Sequence, residues 1–533
     1  MKRTPIISIA FYLLICCIPD LNAQNERLIH VDFTEVKGLL SKTPLNIVGA
    51  GRAAEGLRAD WQAQLRIVRK ECGFRQIRFH GVLNEEMGLY KEDVQSQPIY
   101  DWTKVDKLYD LLVEIGMKPF VELSFMPADL RTNDETTCYW KAYKSPPKSY
   151  PKYEAFIEAF VRHLRQRYGH KEVKTWYFEV WNEPNIPNFF TGDIEEYFKI
   201  YTAAAKAIKS VSPKYRVGGP ATAGTGWILE TMDYCNTNKV PLDFLSTHFY
   251  GNMKTSVISS TDFNLWTEED LKMEFFMKPD KDAIPKKVNE VRQKIQANQK
   301  YKDLELHFNE WSTSYDPVDP IHDAYQSTPY MLNVLKKTED IASSMGYWIF
   351  TDICEEIGEV PTGYCMGNWG LMDTHGNRKP AYFTYKYFNQ LGNTELVNSD
   401  SCSWVCKTGN NIQALFWNYK LLDQKNVPNN VFYKQLFPSE VKEKVTLRVE
   451  NMKNGKYEIV FYRTGFESND YYTAYAKMGA PQKPSNGQIK TLADACKDEP
   501  IKSETVEVKN GILELKIDVR ENDALLVKAN FIN

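Results

Sequence analysis

Along residues 45–352, short strand-like segments alternate with longer stretches in which apolar residues recur every three or four positions. The short runs are Leu45–Gly49, Phe74–His80, Lys118–Ser124, Lys174–Asn182, Tyr215–Gly219, Phe244–Tyr250, Leu304–Glu310 and Gly346–Asp352. In Lys174–Asn182, Trp176, Tyr177, Phe178, Val180 and Trp181 are aromatic or β-branched, as in a parallel strand covered on both faces. The stretches Arg58–Glu71, Trp102–Ile115, Tyr153–Tyr168, Ile194–Val211, Pro285–Lys300 and Tyr325–Met345 read as amphipathic helices; within Tyr153–Tyr168, Phe156, Phe160, Val161 and Leu164 share one face. Eight strands interleaved with helices predict an α/β fold, a (β/α)8 TIM barrel. The rival is an open doubly wound sheet, but no Gly-rich phosphate loop follows the first run.

The pattern changes near Asn389–Cys402. Downstream, Ile412–Tyr419, Val445–Val449, Tyr457–Arg463, Ile512–Val519 and Ala524–Val527 are short alternating runs joined by Gly, Asn, Pro and Lys-rich connections. They predict a C-terminal antiparallel β-sandwich. The expected division is therefore a signal segment over 1–23, a barrel over 24–395 and a sandwich over 396–533, with the lead-in 24–45 able to join the sandwich. Residues 466–500 read as a long surface excursion with a turn at Ser485-Asn486-Gly487.

The N-terminus has the form of an export signal: Lys2 and Arg3, an apolar run from Ile6 to Ile18, and Leu21-Asn22-Ala23 before Gln24. Neither Cys16 nor Cys17 follows the small residue that lipidation requires, so cleavage after Ala23 and a periplasmic or secreted destination are expected. The formal charge of −3 becomes −4 once Lys2, Arg3 and Asp20 are removed, which gives no reason to expect nucleic acid or an anionic membrane as a partner. Eight cysteines remain, and no Cys/His spacing suggests a metal site; Cys402 with Cys406, or Cys354 with Cys365, are close enough in sequence to form a disulfide.

In a β/α barrel the working groups stand just beyond the C-terminal strand ends. Read in order these are Arg78 and His80, Glu122 and Met126, Asn182 and Glu183, His248 and Tyr250, Glu310 and Trp311, then Trp348, Asp352, Glu355 and Glu356. Carboxylates close the fourth and seventh strands, which lie on opposing sides of an eight-stranded barrel. Two carboxyl groups facing across a pocket are what glycosidic cleavage needs: one protonates the leaving oxygen, the other attacks the anomeric carbon or activates water.

Six segments together resemble glycoside hydrolase family 39, which includes β-xylosidases and α-L-iduronidases. They are Ile77-Arg-Phe-His-Gly81, Lys118-Pro-Phe-Val-Glu-Leu-Ser-Phe-Met-Pro127, Trp176-Tyr-Phe-Glu-Val-Trp-Asn-Glu-Pro-Asn185, Thr247-His-Phe-Tyr250, Asn309-Glu-Trp-Ser312 and Trp348-Ile-Phe-Thr-Asp352. The resemblance implies a retaining exo-glycosidase with Glu183 as general acid/base and Glu310 as nucleophile, and no cofactor or metal. It implies that Arg78 and Tyr250 hold the nucleophile and that Asn182 binds the hydroxyl beside the anomeric carbon. His80, His248, Glu355 and Glu356 are expected to bind sugar hydroxyls and Trp348 to underlie the ring, with Glu122 and Glu179 supporting from behind. Retention sets the carboxyls about 5–5.5 Å apart. The acidic Asp352-Ile-Cys-Glu355-Glu356 resembles the β-xylosidase branch, whereas a uronate would call for cations. Phe249 in place of a proline, His307-Phe-Asn309 before the nucleophile and Cys354 within the acidic segment depart from the pattern and bear on the sugar. The alternatives are another sugar (arabinoside, galactoside, glucoside or iduronide) or a carbohydrate-binding protein on this scaffold. The expected partner is a glycoside or oligosaccharide.

Overall fold

A computed structural model describes residues 25–254, 277–424, 427 and 429–532; the expected signal segment, 1–23, lies outside them. Eight parallel strands close into a barrel in sequence order. They are β1 (Ile47–Arg52), β2 (Gln76–His80), β3 (Lys118–Leu123), β4 (Tyr177–Val180), β5 (Arg216–Thr222), β6 (Phe244–His248), β7 (Glu305–Trp311) and β8 (Ser344–Tyr347). Closure is made where Tyr347 of β8 pairs with Val48 of β1.

Each strand is followed by a helix packed on the outside. Tyr150–Tyr168 shows why: the Ser149 side chain caps the first turn, Gly169 ends the helix, and Tyr153, Phe156, Ile157, Phe160, Val161 and Leu164 are buried at helical spacing. The helix expected over Tyr325–Met345 is confined to Ser327–Thr338. Ile228–Thr237 and Pro380–Asn389 complete the ring and were not foreseen.

Alternation along the strands fills the barrel in layers. Ile47, Phe120, Tyr177 and Phe244 make an apolar floor. Two residues on from Phe120 and Tyr177, the same faces carry Glu122 and Glu179, and these meet Arg78 in a charged layer above. The layer above that opens toward the loops.

Beyond the barrel lies a unit built on two sheets. The larger has the order Val36–Leu39, Thr394–Leu396, Ser403–Thr408, Asn411–Trp417, Ala524–Phe531, Gly455–Thr464 and Lys502–Val508; the smaller joins Asn25–Asp32, Val441–Glu450 and Leu513–Arg520. Their inner faces share one core, with Ile29, Leu447 and Ile517 from one sheet against Phe416, Ile459 and Val527 from the other. Asn25–Asp32 runs parallel to Val441–Glu450, so the sandwich is not wholly antiparallel. The 466–500 excursion holds two helices, Tyr471–Lys477 and Asn486–Asp494. The Ser-Asn-Gly expected as a turn instead starts the second of them, because Ser485 and Gln488 form a reciprocal capping box. All eight described cysteines are free thiols, so neither suggested disulfide is formed here.

Candidate active site

Arg78 is the hub of the charged layer. Wholly buried, its guanidinium reaches Glu179 at 2.6 Å, Glu122 at 2.8 Å, Glu310 at 2.6 Å and the Asn182 side-chain oxygen at 2.9 Å. Such planar, charge-assisted contacts fix direction as well as distance. Asn309 secures Glu179 from the other side at 2.5 Å. Glu122 also takes the Ser124 hydroxyl and lies 2.8 Å from His80 Nδ1.

Glu310 ends β7 with both carboxylate oxygens engaged: Oε1 accepts from Arg78, and Oε2 accepts from the Tyr250 hydroxyl at 2.9 Å. Glu183 stands three residues past β4, with its backbone in the left-handed region at φ +43° and its N–H bonded to Ala221 O at 2.8 Å. Trp181, at φ +71°, shares that strained turn. Strain of this kind persists only where the surroundings over-determine it. Here Asn185 does so, exchanging two 2.9 Å hydrogen bonds with the Ala223 backbone.

His248 Nδ1 straddles the two carboxyls, 2.8 Å from Glu183 Oε1 and 3.5 Å from Glu310 Oε2. Oxygens of Glu183 and Glu310 and a ring nitrogen of His248 all lie within 4.8 Å of one another. That cluster has the size of a metal site, but the Arg78 guanidinium already neutralises Glu310 from within it and opposes a further cation.

Electrostatics separates the two carboxyls. Burial and the neighbouring Glu310 charge push Glu183 well above the ordinary range of a glutamic acid. Burial also raises Glu310, though less, because Arg78 and His80 offset part of it. The shared proton therefore belongs to Glu183 and the negative charge to Glu310. Burial, Arg78 and His80 hold His248 well below the usual histidine range, so it is neutral. For His80, burial disfavours the charge but Glu122 outweighs it and raises the ring.

Of the remaining positions singled out in the sequence, Trp348 lies against the His80 ring at 4.7 Å. Glu356 has one buried carboxylate oxygen without a hydrogen-bond partner. Burial lifts it to about 7, with Glu310 contributing and His80 opposing. Glu355 is drawn elsewhere: its carboxylate pairs with Arg52 at 2.5 Å, beside Glu55 and Glu86 on the same guanidinium. Arg52 thus supplies the counter-charge of Glu355.

The sequence reading also passed over an aromatic wall. Phe125 and Phe189 each lie 6.2 Å from His80, and Trp140 lies 5.9 Å from Phe125. Trp369 joins Trp348 and Ile349 in a cluster on which Tyr250 packs. These residues come from loops without periodicity, and only their aromatic character in the sequence could have marked them.

A closed barrel with two carboxyls facing each other at its C-terminal end has the arrangement that glycoside hydrolysis requires. The chain belongs to glycosyl hydrolases family 39, whose sequence profile matches residues 27–511. It is 32% identical over 490 residues to a beta-xylosidase of Geobacillus stearothermophilus, spanning 90% of this chain and 91% of that one. Among solved structures, the family 39 enzyme from Xanthomonas axonopodis pv. citri superposes with a TM-score of 0.89 at 36% identity, covering 95% of this chain and 98% of that one. A monomeric beta-xylosidase from Caulobacter crescentus gives the same score and identity, with 95% and 100% covered.

Proposed function

We propose that the protein is a retaining, exo-acting β-xylosidase in which Glu310 is the nucleophile and Glu183 the general acid/base. The observation that carries this reading is the pair itself: oxygens within 4.8 Å, with Arg78 and Tyr250 both bound to Glu310. Inverting enzymes hold the two groups roughly 6.5–9.5 Å apart to admit a water between them, and the compact pair favours direct attack.

In the first step a Glu310 oxygen bonds to the anomeric carbon as the glycosidic C–O bond breaks, and Glu183 gives its proton to the departing oxygen. Glu310 then carries an ester and no charge. Its repulsion had helped to keep Glu183 protonated, so the Glu183 carboxylate is now a competent base. Water attacks the anomeric carbon, its proton passes to Glu183, and Glu310 leaves as a carboxylate that Arg78 and Tyr250 receive again. Asn182, oriented by Arg78 at 2.9 Å, is poised for the adjacent sugar hydroxyl.

Two features favour xylose over a uronic acid. Glu356 would repel a sugar carboxylate but accept from neutral hydroxyls, and the extended similarity is to proteins named as beta-xylosidases. The bond from Tyr139 N to Glu356 O at 2.8 Å ties the loops after β3 and β8 at the rim, which suits a pocket for a terminal sugar. We take the protein to be exported, on the strength of Lys2, Arg3 and the apolar run to Ile18; mature protein beginning at Gln24 would support this.

The test is a screen of the mature protein on aryl β-xyloside, α-arabinoside, β-galactoside, β-glucoside and α-iduronide. β-Xyloside turnover that vanishes in Glu310→Ala, and returns with azide as a product of inverted configuration, is expected. Preference for another sugar overturns the substrate, and full activity in Glu310→Ala overturns the mechanism.

A further inference from the structure

Outside the paired carboxyls, one wholly buried ammonium has no part in the chemistry above. Lys379 immediately precedes the helix Pro380–Asn389, where the helix dipole opposes a positive charge. Its three N–H groups are all used: Asp323 at 2.8 Å, Asp352 at 2.7 Å and the Asn368 carbonyl at 2.7 Å. The second oxygens of the two aspartates turn to one loop, Asp323 accepting from Gly367 N and Asp352 from Gly370 N, each at 2.6 Å. The turn 367–370 is thus held at both ends and in its middle by groups that converge on a single nitrogen.

Neither end of the turn admits a side chain. A Cβ on Gly370 would stand 2.4 Å from Asp352 N, and Gly367, at φ +77°, would bring one within 2.7 Å of Val318. Between them the turn carries Trp369. Its indole N–H donates to Tyr315 O at 3.2 Å, and its ring packs with Trp348 and Ile349 in the cluster that supports Tyr250. Tyr250 in turn donates to Glu310.

We propose that Lys379 is a positioning residue for the reaction, setting Trp369 behind Trp348 and Tyr250 by gathering Asp323, Asp352 and the Asn368 carbonyl. Asp352, five residues past the eighth strand, thereby has a role distinct from sugar contact. The inference rests on the proposed reading of the Glu183–Glu310 site.

Three variants test it: Lys379→Arg, which keeps the charge but cannot direct three donors from one atom, Lys379→Met and Trp369→Phe. Amide exchange is followed over residues 365–372, and kcat and KM on the glycoside the wild type turns over. Lys379→Arg should speed exchange at Gly367 and Gly370 while the barrel amides stay protected. It should lower kcat roughly 10- to 100-fold, more than it raises KM, as small misplacements near a reacting pair do. The double variant Lys379→Arg/Trp369→Phe should be no slower than the worse single variant, because both act through one ring. Unchanged exchange at 367–370, or losses that multiply in the double variant, would overturn the proposal. Lys379→Met leaves two carboxylates without their counter-charge and serves as the melting control, so the inference does not depend on its folding. If the wild type turns over no glycoside, the proposed function fails, and the exchange measurement still decides whether Lys379 sets the turn.

Discussion

Replacing Arg78 by lysine keeps the positive charge and removes the planar fork. The guanidinium makes four charge-assisted contacts, to Glu179, Glu310, Glu122 and Asn182, at 2.6, 2.6, 2.8 and 2.9 Å. An ammonium has three N–H groups on one atom and a shorter reach, so about two of the four contacts are lost. Hydrogen bonds to charged groups are worth about 1.5–3 kcal/mol each, giving roughly 3–6 kcal/mol to divide between stability and catalysis. The Glu310 contact alone, at one such bond, corresponds to roughly 10- to 100-fold in kcat. The direction with pH also follows. Arg78 pulls Glu310 down against burial, so weakening it raises the nucleophile and moves the acid limb of kcat/KM to higher pH. Thermal melting and a kcat/KM profile on an aryl β-xyloside measure both effects. An Arg78→Lys enzyme with wild-type kcat and an unmoved acid limb would refute the role given to the hub.

Other outcomes are expected at the same site. Glu183→Ala should lose the alkaline limb of the profile and slow alkyl xylosides far more than activated aryl ones, since only poor leaving groups need the proton; equal losses on both would remove Glu183 from that role. Tyr250→Phe deletes the hydroxyl that donates to Glu310 at 2.9 Å and should cost roughly 10- to 100-fold in kcat, one charge-assisted bond, with little change in melting. Glu356, lifted to about 7, is an anion above that pH and helps to keep Glu183 protonated. Glu356→Gln removes that charge, so the alkaline limb should move to lower pH while KM for the xyloside rises.

The barrel was legible because short strand-like segments alternate regularly with amphipathic ones, with candidate polar groups at the strand ends. Glu183, Glu310, Arg78 and Tyr250 were found by that positional rule. The helix Pro380–Asn389 left no such trace: Pro380, Ala381, Tyr382, Phe383, Thr384, Tyr385, Tyr387 and Phe388 are all buried, and a helix without a polar face has no amphipathic period. Ile228–Thr237 begins from a left-handed Trp227 with no side-chain cap, so its start carried no signal. Glu355 and Glu356 are neighbours on an irregular loop, where no period says what each will meet; the pairing of Glu355 with Arg52, some three hundred residues earlier in the chain, left no local signal. Trp369 is likewise brought to the site by the converging hydrogen bonds of Lys379, a three-dimensional arrangement that no local pattern encodes.

The strand Asn25–Asp32 has consequences for how the polypeptide is made. Its sheet partner is Val441–Glu450, and the Asp32 side chain is bound by Asn451, 419 positions away. A ribosome therefore delivers the whole barrel before this first strand meets its partner. Until then Ile29 and Val31, both buried in the finished protein, have no apolar surface to cover them. The nascent protein must carry an unpaired β-edge through nearly all of its synthesis, the kind of edge that invites association between chains. Ending the chain before Val441 would extend that exposure into the released product. Such a truncation should reveal itself as aggregation of a chain whose barrel sequence is intact.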